Sequence, residues 1–112
     1  MKIKIRQEDG ELRLIGRVVD KRFFCIRYKS KHLYRKLDAW GVDINAIEDL
    51  SSKGKINSIV VLEKEEKKTY VTNVDEILEK GNYLHFKPHR PQVFLPRKEW
   101  EVYTDGKFHD VL

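Results

Sequence analysis

Residues 21–37 read KRFFCIRYKSKHLYRKL and combine seven Lys or Arg residues with four aromatic residues, without any Asp or Glu. The first part of this stretch, residues 22–28, is rich in aromatic and apolar side chains and predicts a β-strand. Both faces of that strand carry apolar side chains, so we expect it to lie near the centre of a sheet. Cations interleaved with aromatic rings suit a surface that binds phosphates and stacks on bases.

The second part of the stretch predicts a helix over residues 31–40. Ser30 is a favoured N-cap and Gly41 a favoured C-terminal stop. Leu33, Leu37 and Trp40 follow one another at the spacing of a buried helix face. On this prediction, the helix presents its Lys, Arg and His side chains to solvent.

A second helix is predicted over residues 44–53, because Asp43 is a good N-cap. With the first helix and the short Gly-containing turn between them, it resembles the helix-turn-helix of DNA-binding regulators. The resemblance implies that the second helix reads DNA, yet its exposed Glu48 and Asp49 would repel phosphates. We therefore prefer the alternative of two ordinary packed helices.

Hairpins are predicted at two further places. Residues 2–6 and 12–19 alternate apolar and cationic side chains around Asp9-Gly10, a dipeptide that favours tight hairpin turns. The alternation shifts at Ile15-Gly16, which indicates a β-bulge. Residues 56–63 and 68–72 predict a second hairpin with a charged tip.

The remaining elements are short. Asn73 and Glu76 have the spacing of a capping box, which predicts a helix over residues 73–80. Strands are predicted at residues 83–87, 92–95 and 99–103, followed by a frayed tail. The chain therefore predicts a single α+β domain (1–112): a mainly antiparallel sheet of five to seven short strands, packed against two or three short helices.

The charge of the chain is unevenly distributed. Residues 1–42 contain twelve Lys or Arg and five Asp or Glu, whereas residues 43–80 contain six and nine. A concentrated positive field favours a polyanionic partner. We therefore predict a small nucleic-acid-binding protein of prokaryotic, plasmid or viral type, which binds DNA rather than RNA through phosphates and with modest sequence selectivity. The predicted contact residues are Arg22, Arg27, Lys29, Lys31, His32, Arg35, Lys36 and Arg90.

Two other functions stay open. Glu65-Glu66-Lys67 has the E-x-K spacing of metal-dependent nucleases, with Asp43 or Asp49 as a further carboxylate. A protein-interaction or self-assembly module, such as a homodimer, could instead use the aromatic residues near the C-terminus as anchors. Those residues are Trp100, Tyr103 and Phe108.

Cofactor and compartment are predicted from what the sequence lacks. Cys25 is the single cysteine, so a Cys-based zinc site is excluded, and Pro88 prevents a helix that would align His85 with His89. We expect no cofactor, no metal and a binding protein rather than an enzyme. The absence of an apolar leader or span predicts a cytoplasmic protein without membrane contact. Abundant Lys and Glu with scarce Gln, Cys and Met is a composition typical of thermophiles.

Overall fold

The computed structural model describes residues 1–111. In this part of the chain, nine strands form two sheets, accompanied by three helices and a 3-10 helix at Arg97–Glu99. The strands are β1 (Lys2–Arg6), β2 (Leu12–Val19), β3 (Arg22–Arg27), β4 (Ala39–Asp43), β5 (Ser58–Glu63), β6 (Lys68–Asn73), β7 (Asn82–Leu84), β8 (Gln92–Pro96) and β9 (Glu101–Tyr103). The helices are α1 (Lys29–His32), α2 (Ile44–Ser52) and α3 (Val74–Lys80).

The larger sheet has six strands in the order β1-β2-β3-β5-β6-β9, and the smaller has three in the order β4-β8-β7. Neighbouring strands are antiparallel except β3 and β5, which run parallel in register from Arg22–Ser58 to Arg27–Glu63. The predicted α+β class and mainly antiparallel pairing are therefore confirmed. The strands number nine and form two sheets, where the sequence predicts one sheet of five to seven. Within residues 1–111, no helix has the length and apolar character needed to cross a membrane.

The central strand β3 divides its side chains between two cores, as its apolar faces predict. Phe23 and Cys25 are buried in the main core, which lies between the six-stranded sheet and the other elements. Phe24 points to the opposite face and packs on Val60 and Leu62 of β5. Burial raises the pKa of the Cys25 thiol above its usual value, so this side chain packs as a small hydrophobic group.

The first hairpin is confirmed with its bulge. Ile3 lies opposite Gly16 and Lys4 lies opposite Leu14, so Ile15 is the extra residue on β2. Gly16 is required here, because a Cβ at this position would lie 2.5 Å from the Phe23 ring and from the Phe24 carbonyl oxygen.

The helix predicted over residues 31–40 is wrong. α1 ends at His32, and Asp38 adopts a positive φ of 50°, which no right-handed helix contains. Tyr34 and Ala39 exchange backbone hydrogen bonds of 3.0 and 3.1 Å, and the chain continues as β4. Because β4 is buried on both faces, it lacks the alternation that identifies a strand. Without a first helix, the helix-turn-helix and the alternative of two packed helices are both wrong.

The other two helices begin where the sequence predicts. Asp43 caps α2 by accepting the Ala46 N–H at 2.8 Å, and Asn73 caps α3 by accepting the Glu76 N–H at 2.7 Å. Ile47 and Ile77 bury fully against the main core. Both helices therefore pack against the main core through their apolar faces.

The C-terminal segment is packed rather than frayed. Phe108 contacts Phe24 edge-on at 5.6 Å between ring centroids, and the Arg22 guanidinium lies 5.0 Å from the Phe108 ring. Trp100 is buried and donates its Nε1–H to the Leu95 carbonyl at 2.8 Å. The predicted C-terminal anchors are therefore largely engaged within the molecule.

Candidate nucleic-acid interface

A cleft of about 380 Å³ opens between the two sheets, beside α1. Its walls come from β1, β2 and β3 on one side and from β4, β8 and the loop between β7 and β8 on the other. Besides the buried Phe23, the cleft collects five basic side chains and three aromatic ones. These are Arg13, Arg27, Lys31, His32 and His89, with Tyr34, Phe86 and Phe94.

The first hairpin forms one wall because β2 separates from β3. The two strands pair only from Arg17–Phe24 to Val19–Arg22. Beyond Arg17 the bulge at Ile15 interrupts the register of β2, and the residues before it line the cleft. Arg13 lies in this wall, where Nη1 is 3.4 Å from Nδ1 of His89 and Nη2 is 2.9 Å from the Glu11 carboxylate.

Arg27 supplies a cation that is held by carbonyl groups. Its Nη1 donates to the Ile26 carbonyl at 2.9 Å, and its Nη2 donates to the Gly41 carbonyl at 3.0 Å. Carbonyl oxygens orient the guanidinium without neutralising it, and they leave further N–H donors available. Within residues 1–111, Arg27 forms no salt bridge. Its positive charge therefore stays available in the cleft.

His32 and Lys31 reach the cleft from the end of α1. The Tyr28 N–H donates to Nδ1 of His32 at 2.9 Å, so the neutral ring carries its proton on Nε2. Partial burial and the positive charges of Arg27 and Lys31 hold the pKa of His32 below its usual value. The imidazole is thus neutral near pH 7, in a positive local field.

α1 is anchored by acidic residues of the hairpin formed by β5 and β6. The buried Glu63 carboxylate accepts the N–H groups of Lys29, Glu65 and Glu66 at 3.2, 2.8 and 2.6 Å. Glu65 accepts both the N–H and the hydroxyl of Ser30, which lowers the pKa of this carboxyl. Because the end of β5 holds the start of α1, the other end of the helix is fixed at the cleft.

The aromatic side chains form the opposite wall. The centroid of the Tyr34 ring lies 5.3 Å from those of Phe86 and Phe94, and the latter two are 5.8 Å apart. Phe94 is buried, whereas Phe86 is 44% exposed. A half-exposed ring that packs against two others can serve as a stacking surface for a flat ligand.

Amide and carboxylate groups complete the lining. Gln7 is buried and its Oε1 accepts the Arg90 N–H at 3.3 Å, while the Gln92 side chain lines the cleft from β8. Asp43 pairs with the Arg90 guanidinium at 3.4 Å. Burial raises the pKa of the Asp43 carboxyl, and the Ala46 N–H and Arg90 act in the opposite direction.

The predicted contact residues separate into two groups. Arg27, Lys31 and His32 line the cleft, and Arg35 and Lys36 are exposed in the turn that follows Tyr34. The others are engaged elsewhere. Lys29 pairs with Glu66 at 3.2 Å, Arg90 with Asp43, and Arg22 with the Phe108 ring.

Sequence reasoning missed the residues that the cleft takes from distant elements. Arg13 and Gln7 come from the first hairpin, and Phe86 and His89 come from the loop after β7. No local pattern in the sequence places that loop beside α1.

The E-x-K triplet is used for structure. Glu65 binds Ser30, and Glu66 pairs with Lys29 and with Lys68 at 3.7 Å, on the turn between β5 and β6. In the described part of the chain, no group of three or more His, Cys, Asp or Glu side chains is arranged to hold a metal ion.

Comparison with protein-family models, with characterised proteins and with solved structures finds no match to this chain. The function is therefore inferred from the chemistry of the cleft.

Proposed function

We propose that the protein binds nucleic acid, with DNA as the first candidate, through the cleft and the cations at its mouth. The observation that carries the proposal is that Arg27, Lys31 and His32 share one cleft with a wall of three aromatic rings. Nucleic acids present phosphates and flat bases together, and proteins bind them with this combination of side chains. The proposal places the protein in the cytoplasm and assigns it no catalytic step.

The electrostatic part of the proposal depends on cations without carboxylate partners. Among residues 1–111, Lys31, Arg35 and Lys36 form no salt bridge, whereas Lys29 and Arg90 do. A cation already paired with a carboxylate gains little from a phosphate, because the phosphate must displace that partner. We therefore assign the phosphate contacts to Arg27, Lys31, Arg35 and Lys36, and not to the full set that the sequence predicts.

The test is a titration of fluorescent DNA and RNA oligonucleotides at several salt concentrations between 50 and 200 mM. Each phosphate contact contributes about −0.7 to −0.9 to the slope of log K against log salt. Three or four contacts predict a slope of about −2 to −4. Binding that does not change over this range would reject the proposal.

Matched variants distinguish the contribution of these cations to binding from the contribution of the overall net charge. Lys31→Gln, Arg35→Gln and Lys36→Gln should each reduce the slope by about one, whereas Lys55→Gln, which removes an exposed charge outside the cleft, should not. If Lys55→Gln weakened binding as much as the other three, binding would depend on overall charge and not on this surface.

A second candidate is self-association through the opposite face of the six-stranded sheet. Ile26 of β3 lines a small hollow there with Leu14 of β2, which also borders the cleft, and the two residues are 41% and 53% exposed. Leu12 of β2 is exposed as well. Exposed apolar patches mark interaction surfaces. Light scattering after size exclusion tests this candidate, since a dimer through this face should be lost in Ile26→Lys, whose side chain does not line the cleft.

A further inference from the structure

We propose that the cleft receives one unpaired nucleotide, so that the protein binds single-stranded nucleic acid in preference to a duplex. This inference rests on the proposed function and specifies the form of its ligand. Three features of the cleft support it: its shape, its aromatic wall and its polar lining.

The shape of the cleft suits a single nucleotide. Its volume of about 380 Å³ lies near the lower end of the range of about 300–1,000 Å³ for sites that enclose small ligands. A duplex hides its bases inside the stack, so only its phosphates could approach the mouth of such a cleft. An unpaired base can leave the strand and enter.

The aromatic wall supplies a stacking surface for that base. Phe86 lines the cleft, is 44% exposed and packs against Tyr34 and Phe94 with centroid distances of 5.3 and 5.8 Å. Stacking on an aromatic ring does not depend on the identity of the base, because every base has a π-face. The wall therefore predicts binding to strands of many sequences.

The cations lie where the backbone of the strand would pass. Arg27 is fixed between β3 and β4 by its bond to Gly41, and Lys31 extends from α1, with its Nζ 5.5 Å from the centre of the Tyr28 ring. Arg35 and Lys36 follow in the turn beside Tyr34. A base against the aromatic wall would thus leave its phosphates near these side chains.

The amides of Gln7 and Gln92 give the lining both donors and acceptors of hydrogen bonds. Such groups can pair with the edge of a base once it has left its partner strand. A duplex already uses those base edges for its own pairing, so these amides add to the preference for an unpaired nucleotide.

The experiment compares three ligands by fluorescence anisotropy at one salt concentration: a labelled single-stranded 12-mer, the same sequence as a duplex, and an RNA 12-mer. We expect the single strands to bind at least about tenfold more tightly than the duplex, since stacking of one base accounts for a factor of this order. Equal affinities for the RNA and DNA strands would agree with recognition of the base and the phosphate. A higher affinity for one of them would show that the sugar is contacted as well.

Phe86 is the residue to change. Phe86→Leu keeps an apolar side chain but removes the π-face, and should weaken single-strand binding about tenfold while leaving duplex binding unchanged. Tyr83→Ala is the matched control, because Tyr83 is 55% exposed, lies on β7 and does not line the cleft. Circular dichroism should show both variants folded, and 2-aminopurine in the strand should lose its fluorescence change in Phe86→Leu alone.

The outcomes distinguish this inference from the function on which it rests. Equal affinity for single strand and duplex, with no effect of Phe86→Leu, would overturn the inference and leave nucleic-acid binding in place. Absence of binding to all three ligands would overturn both. The inference would also be overturned if adenosine monophosphate displaced the strand at a concentration similar to that at which the strand itself binds. The cleft would then be a site for free nucleotides.

Discussion

The guanidinium of Arg27 donates a 3.0 Å hydrogen bond to the Gly41 carbonyl and so connects the central strand of the six-stranded sheet to the edge strand of the smaller one. Gly41 also allows the Phe94 ring to pack closely against β4. A Cβ at this position would lie 2.4 Å from the Phe94 ring, which is part of the aromatic wall. One bond therefore fixes the charge of the cleft relative to its rings.

Exchanging Arg27 for Gln tests whether this charge binds the ligand. We expect Arg27→Gln to weaken binding of a single-stranded 12-mer by roughly 1.5–3 kcal/mol, the value of a hydrogen bond to a charged group. Arg22→Gln removes the same charge from the same strand but on the other face, beside Phe108, and should leave affinity unchanged. Anisotropy titrations of both variants provide the comparison, and equal losses would show that the cleft has no special role.

His32 predicts how binding depends on pH. Its pKa is held below 6.5 by burial, Arg27 and Lys31, so the unfolded chain takes up the proton first and stability decreases as pH falls below that value. A bound phosphate favours the imidazolium and raises the pKa of His32, so affinity should increase as pH falls from 7 to 5. Each unit of that rise corresponds to about tenfold in affinity.

Titration of the His32 ring by NMR, with and without oligonucleotide, measures this effect. His32→Gln should abolish the pH dependence, whereas His109→Gln, whose ring contacts the Lys68 carbonyl far along the chain, should retain it. A His32 pKa that does not move when ligand binds would contradict a phosphate at this end of α1.

Local signals in the sequence predict a large part of the fold. Asp43 and Asn73 identify the starts of α2 and α3, since each cap is a bond between neighbours in the chain. The bulge at Ile15 follows from a break in alternation within one strand. These features depend on few residues, and so they are visible without the rest of the molecule.

The features that sequence reasoning misses depend on distant partners. Trp40 has helical spacing from Leu33 and Gly41 is a favoured helix stop, so the sequence predicts the end of a helix there. Pairing with β8 instead makes both residues part of a strand that is buried on both faces. The meeting of Tyr34 with Phe86 also requires the smaller sheet to form. No pattern within either segment could predict the cleft, although its cations from α1 and β3 are evident in the sequence.

Glu63 predicts a strong coupling between the β5–β6 hairpin and α1. Its side chain is buried, and it accepts three N–H groups, including that of Lys29. Glu63→Gln replaces one acceptor oxygen with a donor, leaving at least one of these partly buried N–H groups without its partner at a cost of about 1–3 kcal/mol. Urea denaturation measures the loss, and hydrogen exchange should show faster exchange at Lys29. Glu79→Gln, an exposed position on α3, is the control and should have no measurable effect.

Asp43 links the stability of α2 to the cleft and predicts a difference between two substitutions. Asp43→Ala removes the cap on the Ala46 N–H and the partner of Arg90, so we expect a loss of about 1–2 kcal/mol in the free energy of unfolding. Asp43→Asn keeps an oxygen that can accept the Ala46 N–H and should retain most of the stability. It also removes the carboxylate that neutralises Arg90, so the released guanidinium should strengthen oligonucleotide binding. Urea denaturation and anisotropy on the two variants separate these effects; equal destabilisation by Ala and Asn would mean that the charge pair, and not the cap, holds this end of α2.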